Sequence, residues 1–195
     1  MMNTETNIKR LTDELALQED MARGELPQAS VLICVTTYTD EPGVILTKRA
    51  GHMRLHPGEI AFPGGKADED DRDRWHTALR EAEEEIALPQ TAVQRLGLMR
   101  PMVTRSQIEV SPCVGVLAQP INFKPNLDEL DSVFTVPLAH LADENNLRMQ
   151  MMEHRGDRRA VPSYVYDEYE IWGLTAALLV YLANMACDAG LEMRR

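Results

Sequence analysis

The chain has 195 residues, a net charge of −11, and 44% hydrophobic against 26% charged residues. That length suits one domain of about 100–200 residues, and the apolar share argues against disorder. A pI of about 4.9 means repulsion from phosphate backbones, so general nucleic-acid binding is not expected. A small phosphorylated ligand held by a local basic patch or a metal ion remains compatible.

Cys34, Cys113 and Cys187 are too few and too scattered for a disulfide framework or a zinc site. They read as reduced thiols of a cytoplasmic protein. No basic region followed by an apolar stretch opens the sequence, so no signal peptide is expected. The apolar run over 171–187 is shorter than the roughly 20 residues a membrane span needs.

In chain order, residues 3–22 carry Ile8, Leu11, Leu15 and Leu17 at helical spacing, with Gly24 and Pro27 as stops. This gives an N-terminal helix and linker over 1–26, followed by one domain over 27–195. Residues 29–38 read as a buried strand and 44–49 as its hairpin partner across the Asp40–Gly43 turn. A Gly/Pro-bearing segment, 51–66, precedes a helix over 72–87 stopped by Pro89. Strands are predicted at 94–103, 108–118 and 132–136, with a helical turn at 137–142. A second hairpin covers 147–153 and 160–166. A last helix spans about 170–189. Hairpins dominate, so the expected fold is α/β (α+β), with a mixed β-sheet between helices.

The helix over 75–88 is the most informative stretch. At about 100° per residue, Trp75, Ala78, Leu79, Ala82 and Ile86 share a face. Glu81, Glu84 and Glu85 form a stripe beside it, while Glu83 points away. Like charges at this spacing cost a few tenths of a kcal/mol per pair, and anions near a helix C-terminus add to the cost. Arg80 offers the one local relief. A divalent cation would offset the whole, and oxygen ligands suit Mg²⁺ or Mn²⁺. Just upstream, Phe62-Pro63-Gly64-Gly65 permits close backbone approach to a ligand. Of the histidines, His76 lies at the start of this helix, roughly a turn before Arg80, and His140 and His154 have no partner identifiable from sequence.

Loop and helix together resemble the box of the Nudix hydrolases, a Gly, a mid-box Glu and an Arg-Glu-x-x-Glu-Glu run. Here the box runs from Gly65 through Arg80, Glu81, Glu84 and Glu85 to Leu88. Asp71 stands for the mid-box Glu, one extra residue separates Gly65 from Arg80, and Ala87 stands for a late Gly. Upstream, Ile45–Gly65 resembles the signature of the coenzyme A pyrophosphatase branch, through Leu46, Thr47, Arg49, Ala50, Arg54, Gly58, Phe62, Pro63, Gly64 and Gly65. The resemblance covers about residues 28–185. Ser106-Gln107-Ile108 departs from a Thr-Gly-Tyr expected there.

The resemblance implies the Nudix fold and metal-assisted hydrolysis of coenzyme A or acyl-coenzyme A to 3′,5′-ADP and (acyl-)4′-phosphopantetheine. It implies Mg²⁺ or Mn²⁺ held by Glu81 and Glu85, with Glu84 third and the Gly65 carbonyl contributing. Arg80 would orient a glutamate. The general base would be Glu81 or a carboxylate on a later loop, for which Glu129 is the candidate. Arg49 and Arg54 would hold phosphate, with Phe62, Gly64 and Gly65 at the substrate. The same box serves ADP-ribose, NADH and dinucleoside polyphosphates, and a non-catalytic Nudix binding module is a further alternative. No nucleic-acid or membrane partner is implied.

The last helix is apolar nearly all round, more than a stripe about 100° wide requires. Either a second copy covers Leu178 and Leu182 in a homodimer, or the helix is central within one subunit.

Overall fold

The computed structural model describes residues 3–16, 24–154 and 157–193. The first half holds α1 (Thr4–Ala16), β1 (Gln28–Thr36), β2 (Gly43–Arg49), β3 (Ile60–Ala61), β4 (Gly64–Lys66) and α2 (Arg74–Ile86). Next come β5 (Val93–Leu98), β6 (Met102–Val103), β7 (Glu109–Leu117), β8 (Leu130–Pro137) and α3 (Leu138–Ala142). Then β9 (Arg148–His154), β10 (Asp157–Tyr166) and β11 (Tyr169–Trp172) lead into α4 (Gly173–Cys187). Leu17 and the predicted end of the first helix lie outside the described residues.

The main sheet has eight strands. Its centre is the parallel pair β1–β7, in register from Gln28↔Glu109 to Thr36↔Leu117. β1 and β2 pair only beside their turn, at Val35↔Val44 and Thr36↔Gly43. Beyond that point β2 pairs with β3 and β1 with β4. The short strands from segment 51–66 are thus wedged between two diverging strands, and they bring Gly64 and Gly65 to the middle of the sheet. Sequence pattern marks that segment only as Gly/Pro-bearing. Its pairing depends on β1 and β2 parting, which no local pattern reveals.

Strand alternation divides the core in two. On one face Leu32, Cys34, Ile45, Cys113 and Leu117 pack with Ala78, Leu79, Ala82 and Ile86 of α2. On the other, Ile33, Val35, Val44, Leu46 and Val114 pack with α4, α3 and Leu11 and Leu15 of α1. The architecture is a mixed sheet between helices, as expected. A second sheet, β9–β10–β11, borders the α4 face.

Two expectations are corrected here. The last helix begins at Gly173, not near 170, because Tyr169–Trp172 pairs with β10 through a tight turn holding Asp167 at φ 51°. Ile171 and Tyr164, opposite each other, are both fully buried, so burial on a sheet outweighs the helical pattern. The second concerns the apolar surplus on this helix from which a homodimer was expected. Leu178, Leu179, Leu182 and Ala183 are all buried within one subunit, against α1, α3 and β10. Tyr181 is the one large side chain of α4 left substantially exposed. The surplus apolar surface that motivated a dimer through this helix is consumed by the chain itself. No described helix is long and apolar enough to cross a membrane.

Candidate active site

The glycine pair is shaped by contact. Gly64, at φ 155°, pairs with Val31, and a Cβ there would overlap the Ser30 carbonyl oxygen and lie 2.7 Å from the Val31 Cα. A Cβ on Gly65 would overlap the Glu81 carboxylate. Only glycine lets this strand pass so close to the acidic helix.

That helix is set from both ends. Asp73 caps its start, accepting the His76 N–H at 2.7 Å. At its end, segment 121–129 supplies donors to the open carbonyls, Asn126 N–H to Glu85 at 2.8 Å and Lys124 N–H to Ile86 at 3.1 Å. With the apolar face against β1 and β7, Glu81 and Glu85 turn toward the glycines. The Glu85 side chain accepts the Gly64 N–H at 3.1 Å.

Glu85 is 5% exposed, and burial pushes its pKa up to about 8. The Gly64 N–H opposes this, the Glu81 and Glu129 carboxylates add to it, and Arg49 counters. Glu81 is also raised by burial, with Arg80 opposing and Glu84 and Glu129 pushing further up. Glu81, Glu85 and Glu129 therefore share one electrostatic environment. Glu129 arrives there on the segment that caps the helix, its carbonyl taking the Ala50 N–H at 2.8 Å. Glu84 behaves differently. It is exposed, and its carboxylate takes Arg80 Nη1 at 3.2 Å. Glu83 is exposed as anticipated and accepts from Gln90 at 2.9 Å.

Arg80 is gripped by Asp71, with Nε on Oδ1 at 3.1 Å and Nη2 on Oδ2 at 3.0 Å, and Nη2 also reaches the Lys66 carbonyl. Its remaining Nη1 meets Glu81 Oε1 at 3.0 Å. The Arg80 guanidinium holds the Asp71 carboxyl well below the usual carboxylate range despite burial.

The two arginines sit in different settings. Arg49, at the end of β2, acts electrostatically on Glu85, and its Nε is buried with no hydrogen-bond partner. Arg54 is exposed in the loop that leads from β2 to β3. Phe62 corrects an expectation. It is 4% exposed and packed in the α4-side core, so its side chain fills the core instead of facing a ligand.

Among the described residues, no three Asp, Glu, His or Cys side chains converge on one point as a metal cluster. Glu84, the expected third ligand, is exposed, and Arg80 Nη1 reaches it at 3.2 Å as it reaches Glu81 at 3.0 Å. The donor set nevertheless suits a hard cation. Two partly or fully buried carboxylates lie against a backbone that no side chain shields, and burial raises the pKa of both.

The NUDIX domain family matches residues 26–155. The chain belongs to the Nudix hydrolase family. NudL from Escherichia coli K12, an uncharacterized Nudix hydrolase, is 37% identical over 156 residues, covering 80% of this chain and 81% of that one. Among solved structures, a NUDIX hydrolase from Alicyclobacillus acidocaldarius aligns with TM-score 0.56 at 21% identity, over 89% of this chain and all of that one. An Ap4A hydrolase from C. elegans aligns with TM-score 0.50 at 17% identity, over 57% and 80% of the two chains.

The Nudix box of this chain absorbs its departures locally. Asp71 is one methylene shorter than Glu, yet both its oxygens reach Arg80. Ala87 takes the left-handed conformation, φ 55°, that ends the helix, with its N–H on the Glu83 carbonyl and the Leu88 N–H on the Ala82 carbonyl. A non-glycine residue there costs about 1–2 kcal/mol. Sequence reasoning missed His76, whose Nδ1 lies 3.1 Å from Asp71 Oδ1. Its spacing of four residues before Arg80 was the available signal.

Proposed function

We propose that this Nudix hydrolase cleaves the pyrophosphate of coenzyme A or acyl-coenzyme A. The observation that carries the reading is Arg49. A buried, unpartnered guanidinium Nε beside acidic side chains calls for an anionic ligand, because an orphaned buried donor costs about 1–3 kcal/mol or more when charged. Coenzyme A as the particular anion is supported by the signature over 45–65 and by Arg54, a free guanidinium available to a further phosphate.

Glu81 and Glu85 would hold Mg²⁺ or Mn²⁺ together with the Gly65 carbonyl. When bound, such an ion neutralises charge on the phosphate oxygens and lowers the pKa of water. Arg49 binds a pyrophosphate oxygen, Arg54 the 3′-phosphate, and Glu129 takes the proton of the attacking water. Gly64 and Gly65 let the strand pass against Val31 and the Glu81 carboxylate, where a side chain would collide. Arg80 orients Glu81 and touches no substrate.

A substrate panel with Mg²⁺ or Mn²⁺, with products identified by mass, tests the reading. 3′,5′-ADP and 4′-phosphopantetheine are expected from coenzyme A. Faster turnover of ADP-ribose, NADH or a dinucleoside polyphosphate would overturn it. For Arg54→Ala, losing a charge-assisted phosphate contact is expected to cost about 1.5–3 kcal/mol, about tenfold or more in kcat/KM, on coenzyme A. On 3′-dephospho-coenzyme A the loss should be small. Equal losses on both substrates would show that Arg54 does not read the 3′-phosphate.

A further inference from the structure

We propose that the cleft between β3 and β11 receives the adenine base of the substrate. The inference rests on the reading of this protein as a hydrolase of coenzyme A. It assigns the nucleoside half of that molecule to the edge where the second sheet meets the main one.

The cleft holds about 400 Å³. Lys48, Glu59 and Ile60 line it from β2 and the start of β3, and Tyr169, Glu170 and Trp172 from β11. β11 lies against β3 there, and Thr175 of α4 donates to the Ile60 carbonyl at 3.0 Å. Several of the lining groups are fixed by neighbours. Tyr169 stacks on Phe134 with ring centroids 3.7 Å apart, and its hydroxyl lies 3.4 Å from Ser132 Oγ. Gln150 donates to Glu170 at 2.7 Å, and His56 Nδ1 lies 2.9 Å from Glu59 Oε2. Lys48 is the exception. Among the described residues its ammonium has no hydrogen-bond or ion-pair partner, although the carboxylates of Glu59, Glu168 and Glu170 line the cleft with it.

The lining narrows the ligand by elimination. Three carboxylates against one ammonium repel a phosphate, so neither the pyrophosphate nor the 3′-phosphate suits this cleft. Two uncharged parts of coenzyme A remain, adenine and the pantetheine arm. Adenine is flat and offers an exocyclic amino donor for a carboxylate and ring nitrogens that accept from Lys48. Its π-face suits Tyr169 and Trp172, since bases stack on aromatic side chains. Position decides between the two. On the cleft wall, the Gly58 N–H donates to the Arg49 carbonyl at 3.2 Å, and the Arg49 N–H donates to the Glu59 carbonyl at 2.9 Å. Arg49 is assigned to the pyrophosphate, and Arg54, assigned to the 3′-phosphate, lies on the same loop as Gly58. The 3′-phosphate is carried by the ribose that bears adenine, so the base belongs on the Arg54 side, next to this cleft. The pantetheine arm leaves the pyrophosphate in the other direction.

The chain has two tryptophans, Trp75 on α2 and Trp172 in the cleft, so Trp75→Phe leaves Trp172 as the single reporter. Its fluorescence is followed on the full chain during titration with 3′,5′-ADP, 3′,5′-GDP and 4′-phosphopantetheine. 3′,5′-ADP is expected to change the emission saturably. 3′,5′-GDP should bind about tenfold more weakly, because guanine presents a carbonyl where adenine presents its amino group. 4′-Phosphopantetheine should leave the emission unchanged. With both tryptophans kept, Lys48→Met retains the stem and loses the charge. It is expected to weaken inhibition by 3′,5′-ADP about tenfold and to raise KM for coenzyme A by a similar factor, with kcat within about twofold. A response to 4′-phosphopantetheine, or tighter binding of 3′,5′-GDP, would overturn the adenine assignment. So would silence toward all three compounds, or an unaltered KM in Lys48→Met, in a protein that turns over coenzyme A. No turnover of coenzyme A by the wild type would instead overturn the functional reading, and this inference with it.

Discussion

Replacing Glu85 by Gln is expected to lower turnover by more than about 100-fold, since even an outer partner of a ligating group costs about 10–100-fold. The same change is expected to raise the melting temperature of the metal-free protein. Burial lifts the folded-state pKa of Glu85 from 4.5 to about 8. Between those values the folded chain keeps a proton that the unfolded chain has released, so stability falls as pH rises. The contribution is complete below pH 4.5 and gone once pH passes about 8. Gln has no such titration. Its advantage in chelator should therefore be absent near pH 4.5 and grow toward pH 8, at about 2–4 °C per kcal/mol for a chain of this size. Glu83→Gln, altering an exposed side chain, should be close to silent in both assays. Activity within a few-fold of wild type at saturating Mg²⁺ would reject Glu85 as a ligand. A thermal advantage that shrinks with rising pH would reject its buried, protonated state.

Leu182→Glu is expected to prevent folding, not to release a subunit. Leu182 is fully buried in the core formed by α4, α1 and the sheet. The substitution removes a packed side chain and buries an unpaired charge, a combination that exceeds about 4–5 kcal/mol. A domain has only about 5–15 kcal/mol to lose. Tyr181→Glu, on the exposed side of the same helix, should stay within about 0.5 kcal/mol of wild type. Denaturant unfolding with light scattering distinguishes the outcomes. A folded Leu182→Glu variant of half the wild-type mass would return the interface to this helix.

Much of the site was legible because helical periodicity is local. The spacing over 75–88 separates the apolar face from Glu81, Glu84 and Glu85, and it isolates Glu83, all from residue order. The Gly64-Gly65 pair could likewise be read, since a backbone passing close to carboxylates tolerates no side chain. Those patterns, with the signature over 45–65, determined the family and the reaction class to be tested. Periodicity says which residues share a face, not what covers that face. An all-round apolar α4 fits a dimer interface or a central helix equally well, and only the placement of α1, α3 and the second sheet decided for the latter. Phe62 and Arg49 belong to one signature, yet Phe62 packs into the α4-side core while Arg49 acts on Glu85. Glu84 matches the ligand pattern as well as Glu81 does, and Arg80 touches both, but Glu81 is partly buried beside Gly65 while Glu84 stays exposed. The ring of donors around Asp71 spans Asp68 to Arg80 through a turn, a cap and one helical turn. Its closure depends on three-dimensional distances of about 3 Å, which only the folded backbone sets.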